Sequence, residues 1–285
     1  CCTANLSQGW PKFAAHLWMR DSKGLAAVAY APSVVEVKID GAHVTAALET
    51  GYPFRETLNF RIHTDIPVTF PLLLRIPAWA KEATVQVADD EVVHATAGIF
   101  HRIAREWRGT TEVVLSLPMA PRPLARPNCA GYHGCRVALA RGPLVYALKV
   151  GEDWQRVNED HPYRELPHAD WEIYPTTPWN YALALEGERA DITAELASVS
   201  DAVTTSGVTF TEHAIGDYPF SPDGAPVSAR VKGRRVPEWQ LENESAGELP
   251  QSPVTSSEPL EELTLIPYGC TNLRVTEFPV LRNES

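Results

Sequence analysis

Ser33-Val-Val-Glu-Val-Lys-Ile39 and His43-Val-Thr-Ala-Ala-Leu48, parted by Asp40-Gly41, decide the fold class. Apolar and polar side chains alternate with period two, and Asp-Gly is a turn signal, so the stretch predicts two short strands. The same reading extends in both directions. Ala27 to Ala31, Thr57 to His63, Val68 to Ile76, Thr84 to Val87, Phe100 to Ile103 and Glu112 to Leu117 all read as strands. Pro32, Gly51 and Asp65-Ile-Pro67 punctuate them. Regular short strands with almost no helical pattern predict an antiparallel sandwich.

Upstream of Gly24 the period is different. Leu6, Trp10, Phe13, Ala14, Leu17 and Trp18 recur at helical spacing. Asn5 or Ser7 is placed to cap this helix, Pro11 suits an early turn, and Asp21-Ser-Lys-Gly24 ends it. One helix cannot bury its own stripe, so the expectation is a helical domain lying upstream. The chain opens on Cys1-Cys2 without an initiator Met or a signal-type segment, and we read it as a fragment.

Downstream, Pro118 to Pro127 holds four prolines and marks a boundary. A second β-rich region follows, with strands near Arg136–Ala140, Leu144–Val150, Trp171–Tyr174, Tyr181–Leu185 and Ala229–Val231. A short helix is expected over Glu188–Ser200. Glu242 to Glu258, with two Pro and four Ser, reads as a surface connection. Leu263–Pro267 and Leu273–Val280 form a final strand pair.

Composition removes several classes of function. The 285 residues carry 25 Lys+Arg against 36 Asp+Glu, a net charge of −11, which argues against nucleic acid or an anionic membrane as partner. No apolar run approaches the roughly 20 residues that span a bilayer. Hydrophobic residues make up 44%, which is ordinary for globular chains and excludes wholesale disorder. Five cysteines are too few and too oddly numbered for a disulfide scaffold. Gly-rich phosphate loops and Ser-His-Asp signatures are absent.

Cys1-Cys2 is the sharpest chemical feature. A thiol at a helix N-terminus has its thiolate favoured by the dipole and by unpaired amides, and two adjacent thiols can ligate one metal. The bland alternatives are two small buried residues or a vicinal disulfide. Elsewhere the bland reading leads. Asn128 to Cys135 sets His133 between two cysteines, but the glycines suit a plain loop, and Cys270 reads as a buried thiol. His63 and His101 sit in strand patterns. Trp79, Trp107, Trp171, Trp179 and Trp239 could stack on sugars, although a sandwich core needs large aromatics. Asp89-Asp90 and Glu261-Glu262 read as solvated turn charges.

Cys1-Cys-Thr-Ala-Asn5, followed by Gly9-Trp-Pro-Lys-Phe13, resembles the end of the catalytic domain of glycoside hydrolase family 127, the β-L-arabinofuranosidase family. The resemblance continues in order through Gly51-Tyr-Pro-Phe54, Leu74-Arg-Ile-Pro-Ala-Trp79, Arg105-Glu-Trp107, Arg141-Gly-Pro-Leu-Val-Tyr146 and Leu265-Ile-Pro-Tyr-Gly269. It implies a mainly β fragment: two antiparallel β-sandwich domains preceded by the last helix of a missing (α/α) barrel. The implied domains are 1–23 as that barrel helix, 24–120 plus 261–285 as the first sandwich, and 121–260 as an inserted second sandwich.

The resemblance also implies chemistry. Cys1 corresponds to the nucleophile and Cys2 to a zinc ligand, so Cys1 and Cys2 together would hold Zn2+. A Glu, a third Cys and the acid/base Glu would lie upstream. A zinc-held thiolate would replace the usual carboxylate and form a thioglycosyl intermediate on β-L-arabinofuranosides or related plant-glycan sugars. Characterised members have two prolines where this chain has Thr3-Ala4, which bears on specificity more than on chemistry. The partners implied are a carbohydrate substrate and the upstream barrel, and the fragment alone is expected to be inactive. A reactive thiolate slightly favours a reducing cytoplasm. The rival reading is a non-catalytic accessory or carbohydrate-binding β-sandwich protein.

Overall fold

The computed structural model describes residues 2–21, 23–125, 136–185 and 207–282, with backbone only at residues 2–6 and 125. The expected helix Glu188–Ser200 and the Asn128–Cys135 loop fall outside these residues. Among the described residues the chain is mainly β, with one α-helix at its start, and it divides into two units, Cys1–Ala120 and Pro121–Ser285.

The first unit opens with α1 (Cys2–Ala15). Eight strands follow: β1 (Trp18–Arg20), β2 (Leu25–Ala27), β3 (Ser33–Ile39), β4 (Ala42–Thr50), β5 (Thr57–Arg75), β6 (Thr84–Val87), β7 (Val93–His94) and β8 (Phe100–Ser116). They form one sheet ordered β1-β2-β5-β8-β6-β7, with β4 and then β3 added beside β5. The sequence suggested two short strands where β5 stands, and two more where β8 stands. Each pair is one long strand. β5 meets β4 through its first half, Leu58–Thr64, and meets β2, in parallel, through Leu72–Leu74. It lies against β8 along its whole length.

The alternation explains this. Leu58, Phe60, Ile62, Thr64, Val68, Phe70, Leu72 and Leu74 all point into one core, which also takes Val44 and Leu48 from β4 and Trp107, Val113 and Leu115 from β8. Every buried position of β5 is even-numbered, so the phase survives the interruption at Asp65-Ile-Pro67. There the register against β8 shifts between Thr64 and Val68. The Asp65 carboxylate accepts the amides of His43 and Ile66 at 2.8 and 2.9 Å, which satisfies donors that the break in the ladder frees. On β8 the shift is absorbed at Gly109, whose φ of +59° is left-handed. Trp107 fills the centre of the core. Its ring stacks on Phe70 at 5.4 Å and its Nε1 donates to the Phe70 carbonyl at 2.9 Å.

Two local expectations are corrected. α1 ends at Ala15 and starts at Cys2, so Pro11 is interior rather than in the first turn. Trp18 leaves the helical stripe because the sheet offers it more. β1 pairs with β2, Trp18 packs edge-on to Phe60 at 5.9 Å, and its Nε1 donates to Ser33 Oγ at 3.1 Å. Asp21 to Gly24 is therefore the turn between β1 and β2, with Asp21 Oδ1 accepting the amides of Lys23 and Gly24.

The second unit comprises β9 (Pro121–Ala125), β10 (Val137–Arg141), β11 (Leu144–Leu148), β12 (Glu152–Val157), β13 (Asp170–Pro175), β14 (Tyr181–Ala184), β15 (Thr209–Glu212), β16 (Val227–Arg235), β17 (Leu241–Glu242), β18 (Ser245–Ala246) and β19 (Leu260–Pro267). Seven strands make an antiparallel sheet ordered β14-β16-β19-β11-β10-β9, with β15 also on β16. The pairs β12–β13 and β17–β18 are separate ribbons.

The expectation that residues 261–285 return to the first sandwich is overturned. β19 is an inner strand of the second sheet, paired with β11 on one side and β16 on the other. Leu265 and Ile266 are buried there. The expected strand Leu273–Val280 makes single bridges instead: Val137 with Phe278, Leu183 with Val280, and Val254 with Leu281. These link β10 to β14 around the fully buried Phe278. Pairing β19 inside its own unit supplies hydrogen bonds to both neighbours, whereas a return to the first sheet would strip β11 and β16 of their partner.

Two tests follow from this topology. Deleting residues 261–285 is expected to remove exchange protection from the second sheet and leave the amides of β5 and β8 protected; loss of protection in β5 instead would restore the inserted-domain arrangement. Gly109→Ala has open space for its Cβ, so its cost is conformational. Denaturant unfolding should show a loss of about 1–2 kcal/mol, and an unchanged midpoint would contradict the left-handed requirement.

Candidate functional site

Among the two cysteines singled out, Cys2 is the first residue of α1 and Cys1 precedes it, outside the described residues. Cys2 thus stands in the first turn of a helix, where unpaired amides and the dipole lower the pKa of a thiol. α1 carries no acidic residue in its first turn, and Lys12, its only charged side chain, lies toward the other end. No carboxylate of the helix thus opposes a negative thiolate. Lys12 Nζ donates to Gln8 Oε1 at 3.3 Å, and His16 Nδ1 lies 2.6 Å from the Lys12 carbonyl. Trp10 and Phe13 stand edge to face at 6.3 Å and are exposed, Trp10 at 71%. The helix is tied to the sheet at its far end, where the Leu17 carbonyl accepts the amides of Val28 and Ala29.

The remaining motifs are structural parts of their own units. Gly51-Tyr-Pro-Phe54 and Leu74 to Trp79 converge on Tyr30. Its ring meets Tyr52 at 5.8 Å, its hydroxyl donates to the Arg75 carbonyl, and Arg75 Nε donates to the Val28 carbonyl at 2.7 Å. Burial pushes both tyrosine hydroxyls above their usual pKa, so they stay protonated donors. In the second unit, Arg141 pairs with Glu212 at 3.0 Å, and its guanidinium lies 6.0 Å from the Phe210 ring. Phe210 meets the fully buried Tyr146 edge-on at 5.1 Å. Of Leu265 to Gly269, Leu265, Ile266 and Pro267 are buried, and Tyr268 and Gly269 are exposed.

The bland readings of the other candidates match the structure. Trp107 and Trp239 are buried, and Trp79 and Trp179 pack against cores. His63 shares a hydrogen bond with Thr110 Oγ1 at 3.0 Å. Asp90 pairs with Arg105, whereas Glu261 and Glu262, expected in a turn, lie on β19, where Glu262 pairs with Arg230 and Glu261 accepts from the Tyr181 hydroxyl. Among the described residues, no group of three or more His, Cys, Asp or Glu could hold a metal. Trp171 is the exception. It is exposed and stands beside Trp154, a residue that sequence reasoning passed over because Glu152 to Val157 shows no apolar–polar alternation.

Residues 24–119 match the family model of the β-L-arabinofuranosidase GH127 middle domain. The fold continues along the chain in three solved structures. One is a GH127 β-L-arabinofuranosidase from Geobacillus stearothermophilus T6, at 24% identity and a TM-score of 0.60, covering 98% of this chain and 36% of that one. Another is a glycoside hydrolase at 19% identity and 0.63, covering 99% and 40%. A third is a GH127 β-arabinofuranosidase at 20% identity and 0.64, covering 98% and 38%. Comparison with curated proteins yields no match. The chain spans well under half the length of these structures. Residues 24–119 are thus similar to the GH127 middle domain, and the rest of the chain shares the fold of the corresponding part of these structures.

Cys270 supplies a check on this unit's packing. Its Sγ donates to the Pro219 carbonyl at 3.2 Å, and burial pushes the thiol up to about 11. At pH 8 only ~0.1% would be thiolate, so Cys270 should resist iodoacetamide in the folded chain and react on unfolding. Rapid native-state labelling at Cys270, read by peptide mass spectrometry, would contradict the packing described.

Proposed function

We propose that this chain supplies the nucleophile-bearing end of a retaining glycosidase acting on β-L-arabinofuranosides or related plant-glycan sugars. The observation that supports the reading is positional: a Cys-Cys pair stands at the opening of α1, directly ahead of a GH127 middle domain. In this proposal the Cys1 thiolate attacks the anomeric carbon. The leaving oxygen takes a proton from a carboxylic acid of the barrel, and water then cleaves the thioglycosyl bond with that carboxylate as base.

The donor chemistry fits zinc in part. Two adjacent soft thiols, Cys1 and Cys2, are suitable ligands, and a structural-type tetrahedral set takes four. Bound zinc would hold both thiols deprotonated near neutral pH. The other donors and the acid/base are assigned to the catalytic barrel, which makes that barrel the chain's obligatory partner and leaves the chain alone without turnover. Trp10 and Phe13, exposed on α1, fit such a contact by burying apolar area.

The test uses a protein that joins this chain to its barrel. Cys1→Ser is expected to lower kcat by at least ~10³-fold, because a hydroxyl of much higher pKa replaces the thiolate. Cys2→Ser should lower zinc content, with activity falling in proportion. Near-normal kcat for Cys1→Ser at full zinc occupancy would overturn the assignment.

A further inference from the structure

The ribbon β12–β13 is not part of the second sheet, and one of its faces carries Trp154 and Trp171, edge to face at 6.2 Å and 47% and 45% exposed. The register sets them diagonally on that face, with Trp154 opposite Ile173 and Arg156 opposite Trp171. Large rings left this open on a twisted ribbon have no core to serve.

Polar groups extend the face across the unit. Glu152 accepts Trp154 Nε1 at 3.0 Å through Oε2, Asn272 Nδ2 at 2.9 Å on the same oxygen, and the Asn272 amide at 3.2 Å on Oε1. Two residues on, the Arg274 guanidinium lies 4.7 Å from the centre of the Tyr268 ring, which is 46% exposed, and its Nε donates to the Thr271 carbonyl at 3.0 Å. Trp154 and Trp171 thus adjoin a carboxylate and an amide, and Asn272 stands two residues before Arg274, which holds the Tyr268 ring.

The charges of this surface are already engaged. Partial burial opposes ionisation of Glu152, but the hydrogen bonds from Asn272 and Trp154 outweigh it and hold the carboxyl below its ordinary range. Arg274 is spent on the Tyr268 ring and a carbonyl. What the face offers outward is ring surface and hydrogen-bonding edges, with carboxylate (Glu152) and guanidinium (Arg156, Arg274) groups of both signs rather than a cluster of one sign. A net charge of −11 further disfavours polyanions. A sugar ring has the complementary make-up, since its C–H face packs on an aromatic ring while its hydroxyls bond to neighbouring carboxylate and amide groups.

We infer that the Trp154–Trp171–Tyr268 face of the second unit is a non-catalytic binding surface for a neutral oligosaccharide. It holds the glycan by stacking, without bond cleavage, and does not depend on the cysteine chemistry proposed above. The two readings therefore fail separately: loss of turnover in Cys1→Ser says nothing of this face, and loss of binding here says nothing of the nucleophile.

The experiment titrates the full chain with linear arabinohexaose, xylohexaose and oligogalacturonate of equal length, read by calorimetry and tryptophan fluorescence. At least one neutral hexaose should bind about tenfold or more tighter than the oligogalacturonate. Trp171→Ala should weaken it about tenfold, whereas Trp171→Phe, which keeps a stacking ring, should stay within about threefold. Phe100→Ala, at an exposed aromatic of the first unit, should leave binding unchanged. Absence of neutral-glycan binding, or binding indifferent to both Trp171→Ala and Trp154→Ala, would overturn the inference. So would sedimentation showing self-association that Trp171→Ala abolishes, since the occupant would then be a second copy.

Discussion

The first unit depends on one strand meeting two different sets of neighbours without losing its phase. β5 pairs with β4 in its first half and β2 in its second, and β8 follows it throughout. A one-residue slip would send Leu58 to Leu74 to the solvent face and empty the core. The interruption after Thr64 avoids this by spanning an even number of residues to Val68, with Asp65 capping the freed amides and Gly109 taking the matching bend. Trp107 then locks the second half, because its ring and its indole N–H both bind Phe70.

Much of this was legible in the residues. Alternation alone marks the inward positions of β3, β4 and β5, and Asp40-Gly41 marks the turn, where both residues have positive φ. Strand length was not legible. Asp65-Ile-Pro67 carries the signals of a turn, yet here they signal a bulge, and only the pairing of both flanks with β8 distinguishes the two. The end of α1 was misjudged for a related reason. Trp18 continues the helical spacing, but its contacts with Phe60 and Ser33 come from residues far along the chain, which local periodicity does not register. The place of β19 is a third case. A polar connection before it is compatible with a long crossover or with a short return, and the hydrogen bonds of β11 and β16 select the return.

The chemical reading stands on a different footing from the fold. Most of the short motifs that carry the resemblance turn out to be packing devices, as Tyr30 with Arg75, Arg141 with Glu212, and buried Leu265 show. The Cys-Cys pair is unlike them. Cys2 opens α1, and the start of a helix lowers the pKa of a thiol placed there. The aromatic face of the second unit is likewise outside the core, and its rings carry polar partners on their edges. Chemistry and recognition are thus assigned to residues that the folding of the sheets leaves unused.

The central claim is that a cysteine thiolate, rather than a carboxylate, forms the covalent bond to sugar. The most direct measurement is intact and peptide mass spectrometry of the barrel-joined protein, after incubation with a 2-deoxy-2-fluoro-β-L-arabinofuranoside bearing a good leaving group. The fluorine slows both steps and the leaving group restores the first, so the intermediate accumulates. The account predicts one glycosyl adduct per chain, located on Cys1 and lost in Cys1→Ser. An adduct on a carboxylate, or product of inverted configuration with no adduct, would contradict it.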